Sequence, residues 1–203
     1  MMNRRTKRIG PIAIFALAAA TMAAGCHAST PESNVDTAPY RALAHDPRAM
    51  SDKLFVLGEY RIGMRERALA DIVFQRTPDP ELKEMAKVVR DGHQAGVERL
   101  RTIAAELEVT LPTRIAPDEQ ASIEAIGSLP PEQLVRVFLI RQRAMHAWDI
   151  AIFADYADVV VNDSLKRYVR ETMIPLRQHA DQIIRLANAK GIDGGFVTVG
   201  GRS

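Results

Sequence analysis

Cysteine is nearly missing. The 203-residue chain carries a single one, Cys26, which excludes an intramolecular disulfide and any paired-Cys metal or redox motif. Aromatic residues are scarce as well, at 5% of the chain with one Trp. Few rings to stack on bases, and no large excess of positive charge (27 basic against 25 acidic side chains), argue against nucleic-acid binding. No phosphate-cradling glycine loop, dinucleotide fingerprint or nucleophile elbow is present. No enzymatic activity is therefore read from the chain.

What is there begins with a leader. Arg4, Arg5, Lys7 and Arg8 precede the apolar run IGPIAIFALAAATMAA, which is too short and too rich in small residues to read as a membrane span. The run ends in Ala23-Ala24-Gly25-Cys26. This resembles the bacterial lipobox, in which the Cys is lipidated and becomes the new N-terminus, with Ala23 where Leu is usual. Residues 1–25 are thus expected to be a lipoprotein-type signal peptide and Cys26 the lipidation site. The alternative is an ordinary secretory signal cleaved before Cys26 or after Ala28. His27, not Asp, follows the Cys, which by resemblance to known sorting rules points to the outer membrane. The expected location is the periplasmic side of the envelope, with the chain held to the membrane by its N-terminal lipid. Losing the leader removes four of the 27 basic residues, leaves 23 against 25 acidic, and turns the net charge from +2 to −2.

Residues 26–48 are polar, Pro-containing and without period, and read as a flexible tether. Residues 191–203 are Gly-rich and read as a disordered tail. Between them, residues 49–190 are enough for one domain. Four long helical patterns fill it, and no convincing strand. The first seam is Phe55, Ile62, Glu66, Leu69 and Val73. The second helix opens with Asp79 as N-cap and Pro80 at the first position, where its missing N–H costs nothing. Its seam runs Leu82, Ala86, Val89, His93, Val97 or Gly96, Leu100, Ile103 and Leu107. A long connection follows, holding the short amphipathic PDEQASIEAIG. The third seam is Val135, Leu139, Gln142, His146, Ile150, Phe153 and Ala157. The fourth, capped by Asn162 or Asp163, is Leu165, Tyr168 or Val169, Thr172, Leu176, His179, Ile183 and Leu186. Arg136, Arg141, Arg167 and Arg170 alternate with acids and read as solvated faces. Four such stripes bury themselves most economically against one another, so the expected fold is all-α, a four-helix bundle with a long connection between helices 2 and 3 that permits a ferritin-like crossover.

Polar residues interrupt every seam at one height. At 1.5 Å rise per residue, His93 and His146 lie about 20 and 22 Å into their helices and Glu66 about 21 Å into its own. His179 is mid-helix too, and Pro175, four residues before it, is a helix breaker expected to bend the chain and re-aim the ring, or only to curve the helix round the core.

The motifs resemble a known family, the bacterial domain of unknown function 4142, ferritin-like exported proteins. The resemblance spans about residues 50–188. It is carried by MRERALADIV, MAKVVRDGHQAGVERLRTIA, LPT at 111–113, RAMHAWDIAIFADYA and MIPLRQH. The last is similar to the family's Leu-Pro-x-Leu-x-x-His, at Pro175, Leu176 and His179. Where the family shows Asp-His, this chain has Gly92 before His93. The resemblance implies export and a helical bundle, and no established reaction.

Two readings of the polar layer stand. In one, His93, His146, His179 and Glu66 hold one transition metal ion (zinc, copper or iron), with Asp149 as an extra ligand or an orienting group. The Glu-x-x-His pairs of di-iron carboxylate proteins are missing, so a ferroxidase is not expected. In the other, favoured from the sequence, the same residues form a hydrogen-bonded layer that fixes helix register, Glu66 satisfying one His and Asp149 another. The protein is then an envelope structural or interaction module, linked to stress or to an envelope protein partner.

Overall fold

The computed structural model describes residues 51–192. The leader, Cys26, the tether and residues 193–203 lie outside the described residues. Five helices follow one another: α1 Asp52–Arg76, α2 Pro80–Glu106, α3 Pro117–Gly127, α4 Pro131–Tyr156 and α5 Asp163–Ala189. There is no strand among the described residues. None of their helices is long and apolar enough to cross a membrane.

The helix starts follow from local chemistry. Ser51 accepts from the Leu54 N–H at 3.3 Å, Asp79 from Glu81 and Leu82 at 3.0 and 3.1 Å, and Asn162 from Leu165 at 2.9 Å. Each satisfies donors that the first turn leaves open. Pro80, Pro117 and Pro131 open α2, α3 and α4, using a position that needs no N–H. At the far end Gly191 adopts φ +63°, and the Ile192 N–H returns to the Ala187 carbonyl at 2.9 Å, a left-handed C-terminal cap. Ile192, assigned above to the tail, is buried in the core.

The core falls into two apolar clusters. One gathers Phe55, Leu100, Phe153, Tyr156, Leu165 and Tyr168, the other Leu69, Val73, Leu82, Phe138, Leu139 and Ile183. The start of α1, the end of α2, the end of α4 and the start of α5 therefore share one end. So α2 and α4 run parallel, and the connection between them travels the length of the bundle. Leu107 and Leu111 pack on the first cluster, Ile115 and Ile123 on the second. α3 lies in that return and ties to α1 through Arg65 and Glu119, 3.2 Å apart. The sequence pattern had this helix as an accessory of the connection; it is a fifth packed element, with Ile123 and Ile126 in the core. α5 continues as helix through Pro175.

Asp52 latches the first end shut. Its carboxylate accepts from the Tyr156 hydroxyl and the Val161 and Asn162 backbone N–H groups, while the Tyr156 ring stacks on Phe55 at 4.0 Å. Asp52→Ala removes charged hydrogen bonds of about 1.5–3 kcal/mol each in gross terms. With partial replacement by water, urea unfolding should show a loss of about 2 kcal/mol.

Candidate functional site

Between the two apolar clusters sits the polar layer. Glu66, Gln142 and His146 are buried, with His93 and His179 half-buried at its edge. The His146 ring lies between the other two, its centroid 6.4 Å from that of His93 and 6.1 Å from that of His179, both edge-on. His146 Nδ1 is 3.0 Å from the Gln142 carbonyl oxygen. A carbonyl only accepts, so Nδ1 carries the proton and Nε2 keeps a bare lone pair. Gly92 faces the His179 ring; a Cβ there would come within 3.3 Å of its Cε1. A side chain in place of Gly92 would crowd that ring.

The layer opens into a cavity of about 360 Å³ between α1, α2, α4 and α5, lined by the three histidines, Asp149, Glu59 and Tyr168 among others. Pro175 and Glu171 stand on its α5 side and Gly92, Gly96 and Arg99 on its α2 side. Arg99 bonds Glu171 at 2.6 Å and lies 5.0 Å over the Tyr168 ring.

Electrostatics separate the groups. Burial holds all three imidazoles below their usual range, opposed at His93 by the Glu66 carboxylate; His146, with His93 beside it, is lowered to about 4. At neutral pH the rings are uncharged, the form that ligates metals. Burial pushes Asp149 up to about 8, with the Glu66 charge adding to it. Burial likewise raises Glu59 well above the carboxylate range, and Asp149 raises it further. Burial alone would raise Glu66 too, but the guanidinium groups of Arg141 and Arg65 outweigh it and hold Glu66 low.

The family can be read at this point. A model described as "Domain of unknown function (DUF4142)" matches residues 38–186. The chain belongs to the DUF4142 family. No curated protein matches it. Among solved structures, the DUF4142 chain is similar to a "DUF305 fragment from Deinococcus radiodurans", with a TM-score of 0.59, 15% identity, and coverage of 68% of this chain and 95% of that one. At that identity the likeness concerns the fold alone.

All five candidate residues of the DUF4142 chain fall in or beside one layer. His93, His146, His179 and Asp149 line the cavity. Glu66 has other partners: Gln142 Nε2 at 2.7 Å, Arg141 Nη2 at 3.0 Å and Arg65 Nε at 3.4 Å. The carboxylate–imidazole hydrogen bonds expected of a purely structural layer are not formed among the described residues. Asp149 Oδ1 has no hydrogen-bond partner there. Arg141, read above as solvated, instead reaches inward to Glu66. Its long stem lets a side chain from the helix flank place its head at the core edge.

Glu59 was missed. It sits in the α1 seam midway between Phe55 and Ile62, so the three-and-four spacing carried the signal. Among the described residues no three His, Cys, Asp or Glu side chains are gathered as a ready metal cage.

Proposed function

We propose that this DUF4142 chain is an exported, lipid-anchored, ferritin-like four-helix bundle on the periplasmic side of the outer membrane, and that it binds one transition metal ion among His93, His146 and His179. The supporting observation is the histidine layer itself: three uncharged imidazoles from α2, α4 and α5 line one cavity, and the middle one is oriented through Nδ1 with Nε2 free. A hydrogen bond that fixes the ring through its other nitrogen is typical of metal-ligating histidines. A nitrogen-rich set suits zinc, copper or iron. Bonds of about 2.0–2.1 Å require the outer rings to close on His146. No hydrogen bond to a described residue restrains the side chain of His93 or His179. The parallel run of α2 and α4 supports the ferritin-like crossover, and the leader and Cys26 support the anchor.

One observation favours the competing reading, an envelope interaction or structural module whose polar layer only fixes register: Glu66 is already held by Gln142, Arg141 and Arg65. Thermal unfolding separates the two. At a hundredfold excess over Kd a bound ion stabilises by about 2.7 kcal/mol, roughly 5–10 °C for a domain of this size. Zinc or copper should give such a shift in the wild type and none in His146→Ala. Equal melting temperatures with and without metal would sink the metal reading and leave the module.

A further inference from the structure

The same cavity holds two buried carboxyl groups that form no salt bridge. Glu59 is 9% exposed and Asp149 is 4% exposed. Both line the cavity. Neither forms an ion pair with a described Lys or Arg, and Asp149 Oδ1 has no hydrogen-bond partner among the described residues. Buried carboxylates are ordinarily paired, ligated or neutralised. The guanidinium that lines this cavity, Arg99, is engaged by Glu171 and the Tyr168 face. The histidines are uncharged at neutral pH. The charge of Arg65 acts on Asp149 through space, but no described cation pairs with either acid.

The shape of the space says which cation. A volume of about 360 Å³ far exceeds what an ion fills, and it lies within the roughly 300–1,000 Å³ of small-molecule pockets. Most of its wall is apolar, with Val88, Val97, Leu100, Phe153 and Leu176 around the acids. A hard divalent ion would want six or more oxygen ligands; the acids offer two carboxylates. The aromatic ring of Phe153 also lines the space, and an aromatic face attracts an organic cation.

We propose that the acidic end of the cavity, Glu59 and Asp149 beneath the histidine layer, binds the ammonium group of a small amine whose apolar body lies against Val97, Leu100, Phe153 and Leu176. An ammonium brings the positive charge that the pair lacks, so both acids can ionise around it. Its body displaces water from walls that offer water no partner. This goes beyond the metal reading and does not depend on it: the metal uses the imidazoles, the amine the carboxylates.

The test uses phenethylamine and its neutral counterpart 2-phenylethanol, titrated calorimetrically into the leaderless chain in the presence of a chelator. Phenethylamine is expected to bind one to one, at least tenfold tighter than the alcohol. Glu59→Gln and Asp149→Asn, near-isosteric changes that keep the shape of the core, should each weaken it at least tenfold while circular dichroism stays helical. Glu132→Gln, an exposed acid outside the cavity lining, should leave amine affinity within about twofold. Equal binding of amine and alcohol would overturn the proposal, as would amine binding that survives both carboxylate changes. So would a folded wild type that takes up metal and no amine, and that result would leave the histidine reading intact.

Discussion

Glu66→Ala should lower stability by about 3 kcal/mol, at the bottom of the 3–5 kcal/mol range for breaking a buried charge pair. Glu66 is 1% exposed and is the acceptor for Gln142 and Arg141. Deleting it strands the Gln142 amide, which is fully buried and whose Oε1 already has no partner among the described residues. Arg141 has a side chain 31% exposed and can turn to water, which is why the loss falls at the lower limit. The melting temperature should drop by roughly 6–12 °C. Glu66→Gln keeps the volume and an acceptor, so its loss should be smaller. Because the folded carboxyl is held below its ordinary value of 4.5, its stabilisation is present above that pH and fades as pH falls through the lower folded value. Glu66→Gln should therefore flatten part of the acid limb below about pH 4.5.

The metal-free protein should be most stable near pH 6.5 and lose stability toward pH 8. The buried histidines and the buried acids pull in opposite directions. His146 has a folded pKa of about 4 against an ordinary value of 6.5. Across that interval the unfolded chain binds more protons, so stability rises with pH, most of it by pH 6.5 and the remainder just above. His93 and His179, also lowered, add to this limb. Asp149 runs the other way. Its folded pKa is about 8 against an ordinary value of 3.8, so the native state holds the extra proton and stability falls as pH rises through that window. Glu59, also raised, has the same sign. Above pH 6.5 the histidine contribution fades and the acids dominate the slope. Asp149→Asn should remove much of the decline between pH 6.5 and 8 and leave the variant more stable than wild type at pH 8. Melting curves at half-unit steps in chelator would check this; a wild type whose stability is flat or rising from pH 6.5 to 8 contradicts the description of the acidic end.

Much of the fold was written in local signals. Asp79 followed by Pro80 fixes the start of α2, and Gly191 ends the last helix because a left-handed residue is easiest there. The stripe of α5 is narrow and flanked by charge, so Leu165, Val169, Leu176 and Ile183 could be assigned inward at once. α4 was harder. VRVFLIRQRAMHAWDIAIF is apolar on more than one side, and the seam through Val135, Ile150 and Ala157 competes with the one through Leu134, Asp149, Ile152 and Tyr156 that is buried. A charged residue at position 149 argues for the wrong face unless its destination is known.

The candidate site divides the same way. His93, His146 and His179 were legible because a mid-helix position fixes height along a bundle whichever way the helix runs. Their partners were not. Which donor reaches Glu66, and that none reaches Asp149 Oδ1, depend on helix rotation and on stem lengths such as that of Arg141. Pairing of this kind belongs to the tertiary structure, and spacing alone cannot supply it.

Metal content is the measurement that bears most directly on the histidine layer. The chain from residue 27 onward, exported to the periplasm without an affinity tag of histidines, would be analysed by inductively coupled plasma mass spectrometry. One equivalent of zinc, copper or iron in the wild type, lost in His146→Ala while that variant remains helical, is the predicted result. Protein that leaves the periplasm metal-free, and takes up none of the three ions when they are added, would contradict the metal reading and return the three histidines to the role of core register residues.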